Sequence, residues 1–452
     1  MEASGIADYR FPSLRAKGRS DRFSCVNNCG SWLISGGRIL DPVSGRDETA
    51  DIGIEDGVLA EPSKLRRRPA IIDARGCLAT PPLVDIHVHF REPGDEEAEN
   101  TASGAAAAVR GGFGTVVTMP NTMPPVDTPT RVKEQIRTAE RFLPLKILVS
   151  ACLSIERKGL QLADLRAMAA AGAAAFTDDG STVPDRLMYE AARAAAELDL
   201  PILDHALDPA IASDGVIHCG SVAARLGLPG IPSEAETVIV RRDIAVAKQT
   251  GARVHVQHVS AAESVALVRE ARRSGMGITA EATPHHIALT EEAASCGDAN
   301  FKMNPPLRTE RDRREIIRGI QDGTISVLAT DHAPHTARAK SAGLLKAPFG
   351  VIGLETALGV TYTELVESGL MHPLEWVRRW TTGPADVLGL PSPSLEAGAP
   401  GNLLIINIAD LWQVNPARFA SRSRNTPFSG RMLHGQPVFL FLGGRLAFSQ
   451  NL

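Results

Sequence analysis

From residue 83 onward the chain alternates short apolar runs with longer amphipathic stretches, and completes eight such cycles. No other feature restricts the fold as much. The runs predicted as strands are 83–89, 115–119, 146–151, 173–176, 201–204, 253–257, 277–281 and 326–329. Helices are predicted over 102–110, 130–142, 162–171, 186–198, 234–249, 262–273 and 311–320, and another over 353–368 follows the last strand. Strand-then-helix units demand parallel strands joined by right-handed crossovers, and eight of them close on themselves as a (β/α)8 barrel of the TIM type. The barrel is expected over 81–390.

The flanks read differently. Residues 31–80 hold short alternating runs broken at Gly36-Gly37 and Glu55-Asp56-Gly57, which are hairpin signals. Strand texture returns after 390, in Leu403-Leu404-Ile405-Ile406 and in Val438-Phe439-Leu440-Phe441-Leu442 before Gly443-Gly444. The simplest arrangement is one small β-sandwich domain built from both ends, 31–80 with 391–452. Residues 1–30 are expected to be a flexible extension.

Composition excludes several function classes. The 452 residues carry a net charge of only −4, and the Arg66-Arg67-Arg68 cluster is short, so neither a nucleic-acid surface nor a membrane surface is indicated. No apolar run approaches the ~20 residues of a membrane span. The first thirty residues lack an apolar signal core, and the six cysteines are scattered, so a cytoplasmic protein without a disulfide framework is expected. Cys25 and Cys29 could be a metal pair, but a structural zinc needs about four ligands and no second pair follows.

Barrel chemistry sits at the C-terminal ends of the strands. The first strand ends in His87-Val88-His89, whose side chains, two apart, point the same way and can share one ion. The fourth ends in Thr177-Asp178-Asp179-Gly180, the fifth in Asp204-His205, the sixth in His255-Val256-Gln257-His258, and the eighth in Thr330-Asp331-His332-Ala333-Pro334-His335. Imidazole and carboxylate together suit zinc, manganese or cobalt. Among the other histidines, His255 and His332 face away by alternation, His255 toward the core or a supporting position, while His285 and His286 are expected to support the site from behind. Asp85 shares the His87 face and is expected to hydrogen-bond beneath the metals.

This order of ligands resembles the amidohydrolase superfamily. Finer motifs are similar to dihydroorotases of the bacterial type I group: His87-Val88-His89-Phe90-Arg91-Glu92-Pro93-Gly94, Met119-Pro120-Asn121-Thr122, Thr177-Asp178-Asp179-Gly180, Lys302-Met303-Asn304-Pro305-Pro306-Leu307-Arg308, Thr330-Asp331-His332-Ala333-Pro334-His335 and Ala347-Pro348-Phe349-Gly350. The resemblance spans residue 32 to the C-terminus. It departs at Ala206-Leu207-Asp208, where the family shows Cys-Glu-Asp or Ala-Glu-Asp, and at Gly401-Asn402, where it shows Ala-Asp.

The resemblance implies metal-dependent, reversible hydrolysis of the cyclic amide of (S)-dihydroorotate to N-carbamoyl-L-aspartate in pyrimidine synthesis. It implies two zinc ions per subunit: one on His87, His89 and Asp331, the other on His205 and His258, joined by a carboxylate and a hydroxide. Many superfamily members bridge the metals with a carboxylated lysine on the fourth strand. Here the nearest lysines are Lys146, Lys158 and Lys248, so a carboxylate must bridge. The type I pattern assigns Asp179, with Asp178 as the alternative. Asp331 is the implied proton carrier. The implied substrate pocket comprises His89, Arg91, Asn121, Asn304 and His335 with the backbone of Phe349 and Gly350; a surface ion pair with Glu92 or Glu96 is the plainer role for Arg91. Residues 336–346 match a mobile lid. A homodimer and an aspartate transcarbamoylase partner are also implied. The rival readings are a hydantoinase or allantoinase, and a non-catalytic scaffold for the transcarbamoylase.

Overall fold

Eight parallel strands follow one another round a single sheet in chain order: Leu83–Val88, Phe113–Thr118, Lys146–Ala151, Ala175–Phe176, Ile202–Asp204, Val254–Val256, Ile278–Ala282 and Val327–Leu328. These come from a computed structural model that describes residues 30–450. Apart from Gly30, the expected N-terminal extension, with Cys25 and Cys29, lies outside the described residues. The sheet closes where the first strand meets the chain after the eighth. His89 N donates to His332 O at 2.9 Å, and Asp85 accepts from Thr330 N at 3.1 Å and Thr330 Oγ1 at 2.5 Å. Asp85 is therefore the clasp of the barrel beneath the first-strand histidines.

Side chains from non-adjacent strands meet only inside a closed barrel. Val84, Val117, Ala175, Leu203 and Val327 form such a buried cluster, joined by Val387 and Leu388 of the helix Thr382–Leu388. The outer helices lie where the periodicity placed them. Thr101–Arg110 begins at an Asn100–Ser103 capping box, and Glu310–Gln321 at a Thr309–Asp312 box, each satisfying donors the first turn would leave unpaired. Gly104 lets the first of these helices approach the barrel: a Cβ there would stand 2.3 Å from the Phe90 ring.

The eight outer strands hydrogen-bond as one sheet that takes Trp32–Asp41, Arg46–Glu55, Val58–Ala60, Ala70–Asp73 and Cys77–Thr80 from the N-terminal side and Leu403–Asn407, Gln436–Leu442 and Arg445–Ser449 from the C-terminal side. The halves join where Ala79 pairs antiparallel with Ile405. The sheet branches at Trp32–Asp41, which pairs with three other strands. Ile34, Ile39, Ile54, Ile405 and Phe441 form its core.

Two features lie outside the sequence-based expectations. Between the fifth strand and Glu234–Thr250 the chain makes an excursion with two small helices and a two-stranded sheet, Ile217–His218 with Gly230–Ile231. After the eighth strand, residues 336–346, expected to be a mobile lid, are folded as two helical turns, Ala337–Lys340 and Gly343–Lys346. None of the described helices is long and apolar enough to cross a membrane. The cysteines at 77, 152, 219 and 296 are free thiols.

Candidate metal centre and substrate pocket

Five strand ends converge on one buried point. His87 and His89 leave the first strand on the same face, and their Nε2 atoms lie 3.3 and 3.6 Å from the two carboxylate oxygens of Asp179. Asp331 Oδ1 lies 3.5 Å from His87 Nε2 and 3.1 Å from His89 Nε2. On the other side of Asp179, Oδ1 is 3.6 Å from His205 Nδ1, which is 2.8 Å from His258 Nε2. Two potential metal-binding groups result, His87–His89–Asp179 and Asp179–His205–His258, sharing one aspartate.

The donor set fits divalent cations on two counts. A tetrahedral ion with bonds of ~2.0–2.1 Å separates its ligands by roughly 3.3–3.4 Å, and the separations around Asp179 and Asp331 run from 3.1 to 3.6 Å. The second count is the proton arrangement. His89 Nδ1 faces the Asn121 side-chain oxygen at 3.0 Å and His87 Nδ1 faces Glu281 at 2.7 Å. Each Nδ1 must donate, which turns the Nε2 lone pair of a neutral ring toward the carboxylates. Lone pairs aimed at oxyanions repel unless positive charge lies between them. Asp179 and Asp331 form no ion pair with Lys or Arg among the described residues. Burial works to lower the affinity of His87 for a proton, yet Glu281, Asp331 and Asp179 together push its pKa well above the ordinary histidine range. The same shortage of positive charge would be met by metal. Burial raises Asp179, but His89, His205 and His87 outweigh it and hold its carboxyl well below the usual range.

The neighbouring aspartate does something else. Asp178 accepts from Leu153 N at 2.8 Å, from Ser154 N at 3.1 Å and from the Ser154 hydroxyl, so both its oxygens are committed to the loop after the third strand. Alternation sends it away from the imidazoles that surround Asp179. Arg157 caps the turn by donating to the Asp178 and Asp179 carbonyls.

Backbone supports hold the later candidate ligands. Arg242 is buried and donates to Asp204 at 2.6 Å, to Asp243 at 2.9 Å and to the Val183 carbonyl at 2.7 Å, anchoring the strand end that carries His205. Glu236 accepts from Ser260 N and Ala261 N at 3.1 and 3.0 Å and pairs with Arg308, fixing the exit that carries His258. His258 and Asp331 both sit at positive φ, 32° and 47°. Such conformations cost about 1–3 kcal/mol each in non-glycine residues and persist where the surroundings impose them, as at active sites.

Glu281, at the end of the seventh strand, has no counterpart among the residues predicted from sequence. It is fully buried. One oxygen accepts from His87 Nδ1 at 2.7 Å and from His258 N at 3.2 Å; the other lies 3.0 Å from His255 Nε2. One carboxylate therefore orients a side chain in one metal group and the backbone of the other. Its only sequence signal is an acidic residue on the inward face of a barrel strand. Gln257 packs behind His87, its side-chain amide 3.2 Å from the ring nitrogen whose proton Glu281 accepts. Outer partners of this kind are worth about 10–100-fold in metal affinity. Glu281→Gln is accordingly expected to weaken metal retention ~10–100-fold in a chelator competition followed by metal analysis; unchanged retention would remove Glu281 from the site's support. His285 and His286, expected to serve that role, do not hydrogen-bond the four histidines above. His286 Nε2 faces the Pro305 carbonyl at 3.1 Å, and the His285 Nε2 atom has no partner.

The other predicted pocket residues surround this centre. Arg91 donates to the Pro334 carbonyl at 3.3 Å and makes no ion pair among the described residues. Glu92 instead accepts from Thr101 N and Glu96 from Gly94 N, so the plainer surface role for Arg91 is not found. Asn121 is drawn inward: beyond His89, its Nδ2 donates to Asp179 at 3.2 Å. Asn304 Nδ2 lies 3.3 Å from His205 Nε2, and its buried Oδ1 has no partner. His335 Nε2 meets the Phe349 carbonyl at 2.7 Å. Gly350 N donates to the Lys302 carbonyl at 3.0 Å, so that amide is held within the protein. Gly350 has φ +125°, and a Cβ there would lie 2.6 Å from that of Ala333, so only glycine fits. His332, which faces away as expected, lies 3.3 Å from Glu99.

Known proteins share both sequence and architecture with the chain. A family model described as dihydro-orotase-like matches residues 76–264. The dihydroorotase of Pelotomaculum thermopropionicum is 44% identical over 423 residues, 93% of this chain and 99% of that protein. The dihydroorotase of Halalkalibacterium halodurans is 41% identical, covering 93% and 98%. Among solved structures, the L-hydantoinase (dihydropyrimidinase) of Arthrobacter aurescens superimposes with a TM-score of 0.82 over 93% of this chain and 96% of that one, at 23% identity, a likeness of fold. With 44% identity across nearly the full length of a relative and the strand-end motifs intact, the chain belongs to the dihydroorotase family.

Proposed function

We propose that this protein is a dihydroorotase, opening the cyclic amide of (S)-dihydroorotate to N-carbamoyl-L-aspartate and closing it again. The observation that carries the reading is the pair of histidine groups sharing Asp179, with Asp331 beside them and Arg91 bound to the Pro334 carbonyl with no carboxylate partner among the described residues. His87, His89, Asp179 and Asp331 would hold one zinc, and His205, His258 and Asp179 the second. When bound, the ions supply polarisation of the ring carbonyl and an ionised water at neutral pH. Asp331 takes the proton of the attacking water and passes it to the departing ring nitrogen. One carboxylate serving both directions suits a reversible reaction.

The chain's other residues bind and orient. Arg91 offers its unused guanidinium N–H groups to the substrate carboxylate, in a fork that lysine could not reproduce. His335 and Asn121 flank that carboxylate. The unpartnered Oδ1 of Asn304 accepts a ring N–H. The reading places the reaction in the cytoplasm, in a homodimer able to take aspartate transcarbamoylase as partner.

The test is a dihydroorotate ring-opening assay with metal analysis of the same sample. Turnover with about two equivalents of metal per chain is expected. Faster turnover of hydantoin than of dihydroorotate would replace this substrate assignment.

A further inference from the structure

Only nine of the 48 basic residues are lysine, and two of those nine stand together beside the pocket. Lys340 lies in the short helix Ala337–Lys340 and is 6% exposed. Its ammonium donates to the carbonyls of Lys302 at 3.2 Å, Pro348 at 3.1 Å and Gly350 at 2.8 Å. An ammonium has three donors, and all are used. It forms no ion pair with a carboxylate among the described residues. Burial, and then the charge of Lys302, pull its pKa down to about 7. Lys302 in turn lies over the Phe349 ring, 4.5 Å from its centroid, and reaches the Leu345 carbonyl at 3.4 Å.

Burying a cation without a counter-charge is costly, so what it ties together matters. The three carbonyls belong to two pocket walls. Lys302 begins the run that carries Asn304, and Pro348 and Gly350 enclose Phe349. The Gly350 N to Lys302 O bond zips the same walls. Asn425 completes the frame: its Nδ2 donates to the Gly350 and Ala333 carbonyls, both at 3.1 Å, and its Oδ1 accepts from His335 N at 3.2 Å.

We infer that Lys340 is a positioning residue for substrate binding, setting the gap between the Asn304 wall and the Phe349–Gly350 wall and coupling the fold of residues 337–346 to the pocket. This rests on the dihydroorotase reading. Lys340 touches none of the metal-type ligands, so its loss acts on binding and leaves the proton transfer at Asp331 intact.

Lys340→Met keeps the aliphatic stem and removes the donors. In the full-length holoenzyme it is expected to raise KM for dihydroorotate ~10-fold or more, with kcat within about threefold, the pattern of lost uniform binding. Metal content should match the wild type, and trypsin should cut faster after Arg338 and Lys346. A KM within about twofold of wild type overturns the inference even if cleavage quickens; so does a fall in kcat and metal content at unchanged KM. If Lys340→Met does not fold, Lys340→Arg serves: it keeps the charge but cannot place three donors on the same carbonyls, and a wild-type KM in that variant overturns the inference. A wild-type protein that never turns over dihydroorotate sinks the functional reading itself, whereas an active wild type with an unaffected Lys340 variant sinks only the inference.

Discussion

Asp331→Asn is expected to lower kcat by ~10²–10⁴-fold, the usual worth of a positioned acid–base group. The substitution isolates the proton from the fold. Asp331 sits at φ +47°, a conformation that asparagine tolerates as readily as aspartate, so backbone strain does not change. The amide also keeps an oxygen facing His87 and His89, which lie 3.5 and 3.1 Å from the present carboxylate. What it loses is the capacity to accept a proton and return it. Steady-state kinetics should therefore be paired with metal analysis. Lost activity with retained metal supports the proton role. Lost activity together with lost metal would make Asp331 chiefly a ligand, and activity within about tenfold of wild type would refute the mechanism.

Removing the guanidinium at Arg91 should have the next largest effect. Truncating one member of a desolvated charge pair costs about 2–5 kcal/mol, or ~30- to several-thousand-fold. Arg91→Met is expected to reduce kcat/KM for dihydroorotate within that range. Its single bond to the Pro334 carbonyl, at 3.3 Å, makes a large loss of stability unexpected. The informative comparison is dihydrouracil, the same ring without the carboxylate. If Arg91 reads the carboxylate, the variant loses its preference for dihydroorotate while its turnover of dihydrouracil hardly changes. An equal fall for both would mean that Arg91 acts on the catalytic centre through Asp331 and Asp179, whose charges it feels.

Much of this site is legible from strand ends. Local rules place His87 and His89 on one face, and barrel architecture places every strand's C-terminus at the same mouth, so candidate ligands hundreds of residues apart can be grouped from their positions in the chain. The residues that sequence does not reveal share a different property. Glu281 meets His87, 194 positions away, and His255 and His258 across the neighbouring strand. Lys340 binds carbonyls up to 38 positions distant. A lone acid or lysine carries no local pattern, because its role is defined entirely by groups the fold brings to it. The excursion at 209–231 escapes prediction for another reason. Its strands of two residues are too short to show a period.

The aspartate pair marks the boundary between the two kinds of knowledge. Sequence alone determined the eightfold alternation and the metal-type residues at five strand ends, and the family resemblance, with no lysine on the fourth strand, pointed to a carboxylate there. The local pattern left Asp178 and Asp179 open, because adjacent residues on a strand face opposite ways and nothing local states which face is inward; the resemblance favoured Asp179. Only the tertiary structure decided that placement. The third-strand loop meets Asp178 with two amides and a hydroxyl, while imidazoles from the first and fifth strands surround Asp179. The physical reason is closure: a side chain's partners in a barrel come from strands that are neighbours only once the sheet has joined its ends.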